Sequence, residues 1–471
     1  MMKRYERLAE EVASLIRRGL LAPGERLPSV RQASRSRGVS PSTVFQAYYL
    51  LEARGLILAR PRSGYFVRDQ ARRLLEAPEV APVRGAETAE AAVSELVFSV
   101  LDSLQDADTV PFGSAFPCPG LFPLPRLARS MAKSLREMDD EAVVTGMTGG
   151  DPGLRHQIAR RYLLGGVRLP VEELVITNGA MEALNLCLQA VTRPGDLVAI
   201  ESPAFYASLQ VLERLQLRAV EIPVDPRHGV DLDVLADRLA RWPIKACWFM
   251  SHLQNPLGAS LDASRKRALY DLLVQHDVPL LEDDAYAELH FGSQPSRPVK
   301  ALDEAGLVMH CGSFSKCLAP GYRVGWAAAG RQARAVARSQ LMTTISPSVP
   351  AQAAIADYLQ HGGYDRHLRR LRRALETQQQ AMLAAADRHF PAGTRVTRPG
   401  GGYFLWFEFP ERVDSLRLLR LALAEGVSLA PGPIFSATQG YRHCARLSYG
   451  HPWTARSEGA MARLGELLAT F

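Results

Sequence analysis

Six short, almost wholly apolar runs recur through the middle of this chain, at 173–177, 197–200, 246–250, 279–282, 307–309 and 324–327. Each is too short for a helix, and none alternates as a strand with one wetted face would, so each reads as a strand buried on both sides. Longer helical stretches separate them. Strands joined through helices run mostly parallel in one sheet with helices on both faces, which is a three-layer α/β architecture. In such sheets ligands bind at strand ends, in the loops that lead into helices.

Those loops carry unusual residues. Asn178-Gly179-Ala180 opens a helix with a glycine, leaving unpaired N–H groups that suit an anion, although a glycine at a helix start is often only a turn. Ser202-Pro203-Ala204-Phe205-Tyr206 offers two aromatics, one of which could stack on a flat ligand, with core packing the commoner role. Asn255 is an amide held by the following Pro256, and Asp283 and Tyr286 place a carboxylate and a phenol after the fourth strand. Ser313-Phe314-Ser315-Lys316 follows the fifth, with Arg323 seven positions on. A lysine at the end of a buried strand is costly unless its charge is lost or used. Ser313, Ser315 and Arg323 suit a phosphate beside it. Taken together, phosphate donors, a stacking ring, a ring-nitrogen carboxylate, a phenol and a lysine are what holding pyridoxal phosphate requires. Ser313 to Lys316 also fits the S-x-x-K of penicillin-recognising enzymes, but the chain lacks the Ser-Asp-Asn and Lys-Thr-Gly that complete such a site.

The net charge of +7 is unevenly spread: residues 1–70 hold 13 Lys and Arg against 6 Asp and Glu, and the rest is balanced. A small basic unit on a neutral body is the footprint of a nucleic-acid-binding module, with a solvated basic face as the plainer alternative. Tyr5, Leu8, Val12, Leu15 and Ile16 repeat at helical spacing and predict a helix over 3–18. Ser29-Val30-Arg31-Gln32 is a capping-box pattern for a second helix ending near Gly38, and Ser40 caps a third with Pro41 at its first position. That pair is a helix-turn-helix, and 56–59 with 65–67 add a hairpin wing. A helix fits the major groove, so Ser42, Thr43 and Gln46 are candidates for base edges and Arg26, Arg31, Arg60 and Arg62 for phosphates or the minor groove. Ser29 and Ser40 at the helix starts, with Ser63 and Gly64 at the wing tip, complete the expected DNA-contacting set.

The chain thus divides into a winged unit at 1–68, a linker at 69–93 rich in Ala, Glu, Pro and Arg, and a body at 94–471. Within the body, about 140–345 forms the large part, while 94–139 and 346–471 form a small α+β lobe. No apolar run of 18 residues and no signal-peptide core is present, so a soluble cytoplasmic protein with no membrane partner is expected. The cysteines, at 118, 187, 247, 311, 317 and 444, form no C-x-x-C pair, which predicts buried thiols and no metal site.

Glu25-Arg26-Leu27-Pro28-Ser29-Val30-Arg31, Val39-Ser40-Pro41-Ser42-Thr43-Val44 and Arg62-Ser63-Gly64-Tyr65-Phe66-Val67 resemble the winged-helix domain of the GntR family of bacterial regulators. From about residue 110 onward the chain is similar to a fold-type I, aspartate-aminotransferase-like enzyme, and the fusion of the two resembles the MocR-type regulators. The resemblance implies that Lys316 would form the internal aldimine with pyridoxal phosphate and Asp283 would pair with the pyridine nitrogen. Asn255 and Tyr286 would bond the ring hydroxyl, Phe205 would stack on the ring, and Gly179, Ala180, Ser313, Ser315 and Arg323 would hold the phosphate. Arg446, in Ala445-Arg446-Leu447-Ser448-Tyr449, matches the arginine that grips a substrate carboxylate. Two positions depart from the pattern. Pro41 stands where GntR members often carry arginine, and Thr145 stands where many aminotransferases donate a tyrosine across the dimer, which would weaken that phosphate contact. The implied function is a homodimeric regulator that binds a double-stranded DNA operator and senses an amino compound, or the cofactor itself, through Lys316. Retention of Asp283, Tyr286, Lys316 and Arg446 leaves a working aminotransferase with an accessory DNA-binding domain as the alternative.

Overall fold

The structure is a computed structural model of the 471-residue chain. It describes residues 4–17, 20–22, 24–53, 56–60, 63–67, 75–79, 88–90, 93–103, 108–138, 140–141, 149–292 and 296–471. The N-terminal unit contains α1 (Arg4–Arg17), α2 (Val30–Arg37), α3 (Pro41–Ala53), β1 (Ile57–Arg60) and β2 (Gly64–Val67). The Ser29 hydroxyl accepts the Gln32 N–H and the Gln32 side chain accepts the Ser29 N–H, so the capping box forms. Gly38, in the left-handed region at φ 63°, ends α2. The Ser40 hydroxyl accepts the Thr43 N–H at 3.3 Å, and Pro41 takes the first helical position, where no N–H is needed. The hairpin β1–β2 is antiparallel, and a bridge from Arg26 to Phe66 extends the wing. Leu8, Val12, Val44, Tyr48, Leu51, Ile57 and Val67 fill this unit's own core.

The body continues with β3 (Ala89–Glu90), α4 (Ser94–Ser103), α5 (Leu124–Glu137), α6 (Pro152–Leu164), β4 (Leu174–Thr177), α7 (Ala180–Val191), β5 (Leu197–Ser202) and α8 (Tyr206–Arg214). Then come β6 (Arg218–Asp225), β7 (Gly229–Val230), α9 (Leu232–Arg241), β8 (Ile244–Phe249), α10 (Ala263–His276), β9 (Leu280–Asp283), β10 (Val308–Ser313) and β11 (Gly325–Ala328). The large sheet has the order β3-β6-β5-β8-β9-β10-β11-β4, with β7 paired to β6. Its centre, from β6 to β10, is parallel, and β11 runs against both neighbours. Alternate side chains of β5 enter different cores, Val198 and Ile200 on one face and Leu197 and Ala199 on the other. With no wet face, the strand has no reason to alternate polar residues. The six apolar runs are β4, β5, β8, β9, β10 and β11. The C-terminal part adds α11 (Ala333–Thr343), α12 (Val349–His361), α13 (Tyr364–His389), β12 (Arg395–Val396), β13 (Phe404–Glu408), α14 (Ser415–Ala424), β14 (Ala430–Pro431), β15 (Cys444–Ser448) and α15 (Ala455–Ala469). Its antiparallel sheet runs β12-β13-β15-β14.

Two stretches do more than their composition indicates. The described parts of 69–93, read as a semi-extended linker, lie against the body. The Leu75 N–H donates to Asp387 Oδ1 at 3.2 Å, the Val396 N–H donates to the Glu76 carbonyl at 2.8 Å, and β3 pairs with β6. Sheet edges carry unpaired groups that any extended backbone can satisfy, and composition does not mark that pairing. The stretch 94–139, grouped by sequence with the small lobe, is divided between lobes. The Ser94 N–H and hydroxyl bond Glu213 of α8 at 3.0 and 2.8 Å, whereas the Val110 N–H donates to the Gly426 carbonyl of the small lobe at 2.8 Å. Among the described residues, no helix is long and apolar enough to cross a membrane and no cluster of three or more His, Cys, Asp or Glu could hold a metal. All six cysteines are free thiols, and all but Cys118 are buried.

Candidate functional site

Parallel pairing brings the strand ends together. Asp283 ends β9 opposite Cys311 of β10, so Ser313 and the lysine loop project just beyond it. They open onto a cavity of about 220 Å3 lined by Ala180, Phe205, Asp283, Tyr286, Ser313, Ser315, Lys316 and Arg323, and by Ala115, Phe116, Met181 and Tyr206.

Lys316 Nζ donates to the Ala115 carbonyl at 2.9 Å and lies 3.7 Å from the centre of the Phe116 ring. Burial, then the charges of Arg446 and Arg323, pull its pKa down to about 7, against the opposing influence of Asp283. An amine half uncharged at neutral pH is a nucleophile and a base there, which an ordinary lysine is not. Asp283 is 2% exposed, and burial pushes its pKa up to about 6, opposed by the Ala285 N–H at 3.3 Å and by Lys316. Arg446 on β15 heads the largest fully buried side chains, and burial lowers its pKa. Its Nη1 donates to Asn255 Oδ1 at 2.9 Å and its Nη2 to the Gly113 carbonyl at 3.4 Å, while Nε has no partner. The guanidinium lies 3.9 Å from the Phe404 ring centre, and among the described residues no carboxylate pairs with it. A buried cation with an unfilled N–H and no counter-ion is costly until an anion arrives.

Beyond Lys316, Arg323 Nη1 donates to the Ser315 hydroxyl at 2.9 Å, the Ser313 hydroxyl donates to Ser315 Oγ at 3.0 Å, and Arg323 Nη2 donates to the Asn178 carbonyl at 3.3 Å. These groups meet the N-terminus of the 12-residue α7, whose cap Gly179, at φ 82°, brings no side chain. A Cβ at Gly179 would stand 2.6 Å from the Arg323 guanidinium, and one at Gly325 would stand 2.5 Å from the Gly179 carbonyl carbon. The two glycines therefore let arginine, strand and helix start close into a cradle of donors fit for a phosphate. Cradle, buried carboxylate and depressed lysine together fit pyridoxal phosphate. Ser313, Ser315, Arg323 and the first N–H groups of α7 would take its phosphate, Asp283 its ring nitrogen and Lys316 its aldehyde.

Asn255 does not line this cavity itself but accepts a hydrogen bond from Arg446 Nη1 through its amide oxygen, and Gly179 joins the site as the cap residue beside Arg323. Thr145 lies outside the described residues. Sequence reasoning missed Gly113, Ala115 and Phe116. The Ala115 carbonyl accepts both Lys316 Nζ and the Tyr403 hydroxyl at 2.9 Å, from a segment 201 residues before the lysine. A carbonyl is present at every residue, so no signal marks these. Tyr206, the second aromatic of the loop after β5, lines the cavity beside Phe205 with ring centres 5.0 Å apart.

In the N-terminal unit Arg26, Ser29, Arg31, Ser40, Ser42, Gln46, Arg60 and Ser63 are exposed, Thr43 and Gly64 are partly so, and Arg62 lies outside the described residues. The Ser29 and Ser40 hydroxyls accept N–H groups of the first turns and so position α2 and α3. Arg60 lies over the Phe66 ring at 4.7 Å, and the Arg26 side chain runs past Gly64 on the wing.

Fold and site define a class, an aminotransferase-type body carrying a DNA-binding winged helix. Residues 111–462 match the family of aminotransferase class I and II, and residues 4–67 match the bacterial regulatory proteins of the gntR family. The HTH-type transcriptional regulator YdcR of Escherichia coli strain K12 is 46% identical over 467 residues, 99% of each chain. The multiple substrate aminotransferase of Thermococcus profundus superposes with a TM-score of 0.75 at 27% identity, over 80% of this chain and 95% of that one. LysN, the alpha-aminoadipate aminotransferase of Thermus thermophilus, solved with N-(5'-phosphopyridoxyl)-L-leucine, does so at 0.72 and 31% identity, over 80% and 98%. The chain belongs to the aminotransferase class I and II family, in the MocR-type form in which a GntR domain precedes that body. Membership implies pyridoxal phosphate as cofactor, and the GntR domain implies DNA binding.

Proposed function

We propose that this protein is a transcriptional regulator whose pyridoxal-phosphate-loaded body detects an amino compound bearing a carboxylate, or the cofactor itself, and sets how a homodimer holds its operator. One observation carries the reading: a lysine with a pKa of about 7 shares a site with a buried arginine that has no counter-ion among the described residues. Bound pyridoxal phosphate supplies an aldehyde that exchanges one primary amine for another. Lys316, uncharged in part at neutral pH, would hold that aldehyde in the absence of another amine. Asp283 would set a carboxylate at the ring nitrogen. Arg446 takes the carboxylate, which offsets the cost of its burial. Because Arg446 stands on β15 of the small lobe and bonds Asn255 of the large one, occupancy alters a contact between lobes. Paired winged helices on paired half-sites suit a two-fold dimer.

The protein incubated with pyridoxal phosphate should gain a visible absorption band that Lys316→Ala does not, and a colourless wild type would sink the cofactor reading. Binding to DNA upstream of its own gene should change with the cofactor or with members of an amino-acid panel; no change with either overturns sensing. The second reading, a working aminotransferase, draws support from the joint retention of Lys316, Asp283 and Arg446, and sustained turnover of amino and keto acids would establish it.

A further inference from the structure

We infer that Phe45 and Gln46 of α3 are specificity-determining residues that read a thymine and an adjacent adenine in the major groove, Phe45 packing on the thymine methyl and Gln46 bonding the adenine edge. The inference rests on the regulator reading and names what its winged helix recognises. The helix α3 has two unlike faces. Val44, Ala47, Tyr48 and Leu51 are at most 2% exposed and fill the unit's core. Ser42, Phe45, Gln46 and Tyr49, at helical spacing i, i+3, i+4 and i+7, share the other face, where Phe45 is 54% and Tyr49 68% exposed.

Two large rings left in water on one helix face mark a contact surface rather than a solvated one. Charge selects the occupant. Arg26, Arg31 and Arg60 are exposed on neighbouring elements of the same unit. The one acid of α3, Glu52, has its Oε1 committed to the Ala59 N–H at 2.9 Å. Rings and an amide within a cationic unit match a polyanion with apolar and hydrogen-bonding edges between its charges. The major groove at a thymine and adenine has both, a methyl group and the N6 and N7 pair that a glutamine bonds bidentately. The hydroxyls first expected at base edges are engaged within the opening turn. Ser40 Oγ lies 2.9 Å from Ser42 Oγ and 2.8 Å from Thr43 Oγ1. The long groups that project from α3 therefore start one turn further on, at Phe45 and Gln46.

The test uses the full-length protein with pyridoxal phosphate present. Duplexes are selected by the wild type from a random pool, and affinity is then measured on copies in which single thymines become uracil, which lacks only the methyl. One thymine per half-site should contribute about fourfold to wild-type affinity through its methyl and nothing for Phe45→Ala, with Phe45→Leu keeping part of the effect. Gln46→Ala should lose about tenfold in preference for the adjacent adenine. A selected sequence on which uracil costs wild type and Phe45→Ala alike overturns the inference and leaves the regulator reading intact, whereas no selected sequence overturns both. If Phe45 instead covers a second copy of the chain, Phe45→Ala shifts sedimentation while thymine dependence persists, which also overturns it. Unchanged melting temperatures of the variants exclude misfolding as the cause.

Discussion

At Lys316, burial, Arg446 and Arg323 all disfavour the ammonium and Asp283 alone favours it. With a pKa of about 7, the amine is charged below that pH and free above it. Cofactor uptake by the apoprotein, followed by stopped-flow absorbance, should therefore accelerate about tenfold between pH 6 and pH 8 and then level off; a rate still climbing tenfold per unit at pH 9 would mean an ordinary lysine. Stability has the same sign. Between about pH 7 and 10 the unfolded lysine, with a pKa of about 10.4, binds a proton that the folded one has released, so the apoprotein gains stability as pH rises through that window. Asp283 acts oppositely, since its folded pKa of about 6 lies above the unfolded value, and it lowers stability as pH rises from about 4 to 6. Lys316, Asp283 and Arg323 were legible in the sequence because such residues at the end of a buried strand need a reason. The Ala115 carbonyl and the Phe116 ring were not, because neither group is rare.

Among elements, the closest packing in the site lies where β11 begins beside the start of α7. A Cβ at Gly325 would meet backbone atoms of Gly179 and Ala180 at 2.5–2.7 Å, a clash that no side-chain rotation relieves. Gly325→Ala should cost about 2 kcal/mol of stability and open the phosphate cradle, read as weaker cofactor binding in a titration. Gly321→Ala, with nothing within 4 Å of its Cβ position, is the control. In the winged unit, Ser40→Ala removes the cap of α3 and should cost about 1 kcal/mol in thermal unfolding, with weaker DNA binding as a result. Capping pairs such as Ser29 with Gln32 were readable because both partners lie within one helical turn. The direction of β11, antiparallel between β10 and β4, was not, because nothing local to residues 325–328 encodes which neighbours they meet.

For the whole molecule, the basic surplus lies in residues 1–70 while the cofactor chemistry lies beyond residue 110. If two winged units each place Arg26, Arg31, Arg60 and Arg62 on phosphates, about eight contacts form, and the logarithm of affinity should fall with the logarithm of salt at a slope of about −7. Arg60→Ala should reduce that slope by about 2 in a dimer; a slope near zero in wild type would contradict the DNA-binding role. Between the two units, Leu75 and Glu76 bond the small lobe and β3 bonds the large sheet, so the connecting segment touches both of the lobes that Arg446 and Asn255 join. By itself the sequence determined the helix caps, the apolar strands, the order of the loops after them and the confinement of charge, because each depends on neighbours along the chain. Only the tertiary structure decided that Arg446 is buried without a counter-ion among the described residues, that the 113–116 segment covers both it and Lys316, and that the linker pairs with two sheets. Those outcomes join segments up to 333 residues apart, often through backbone groups that every residue carries.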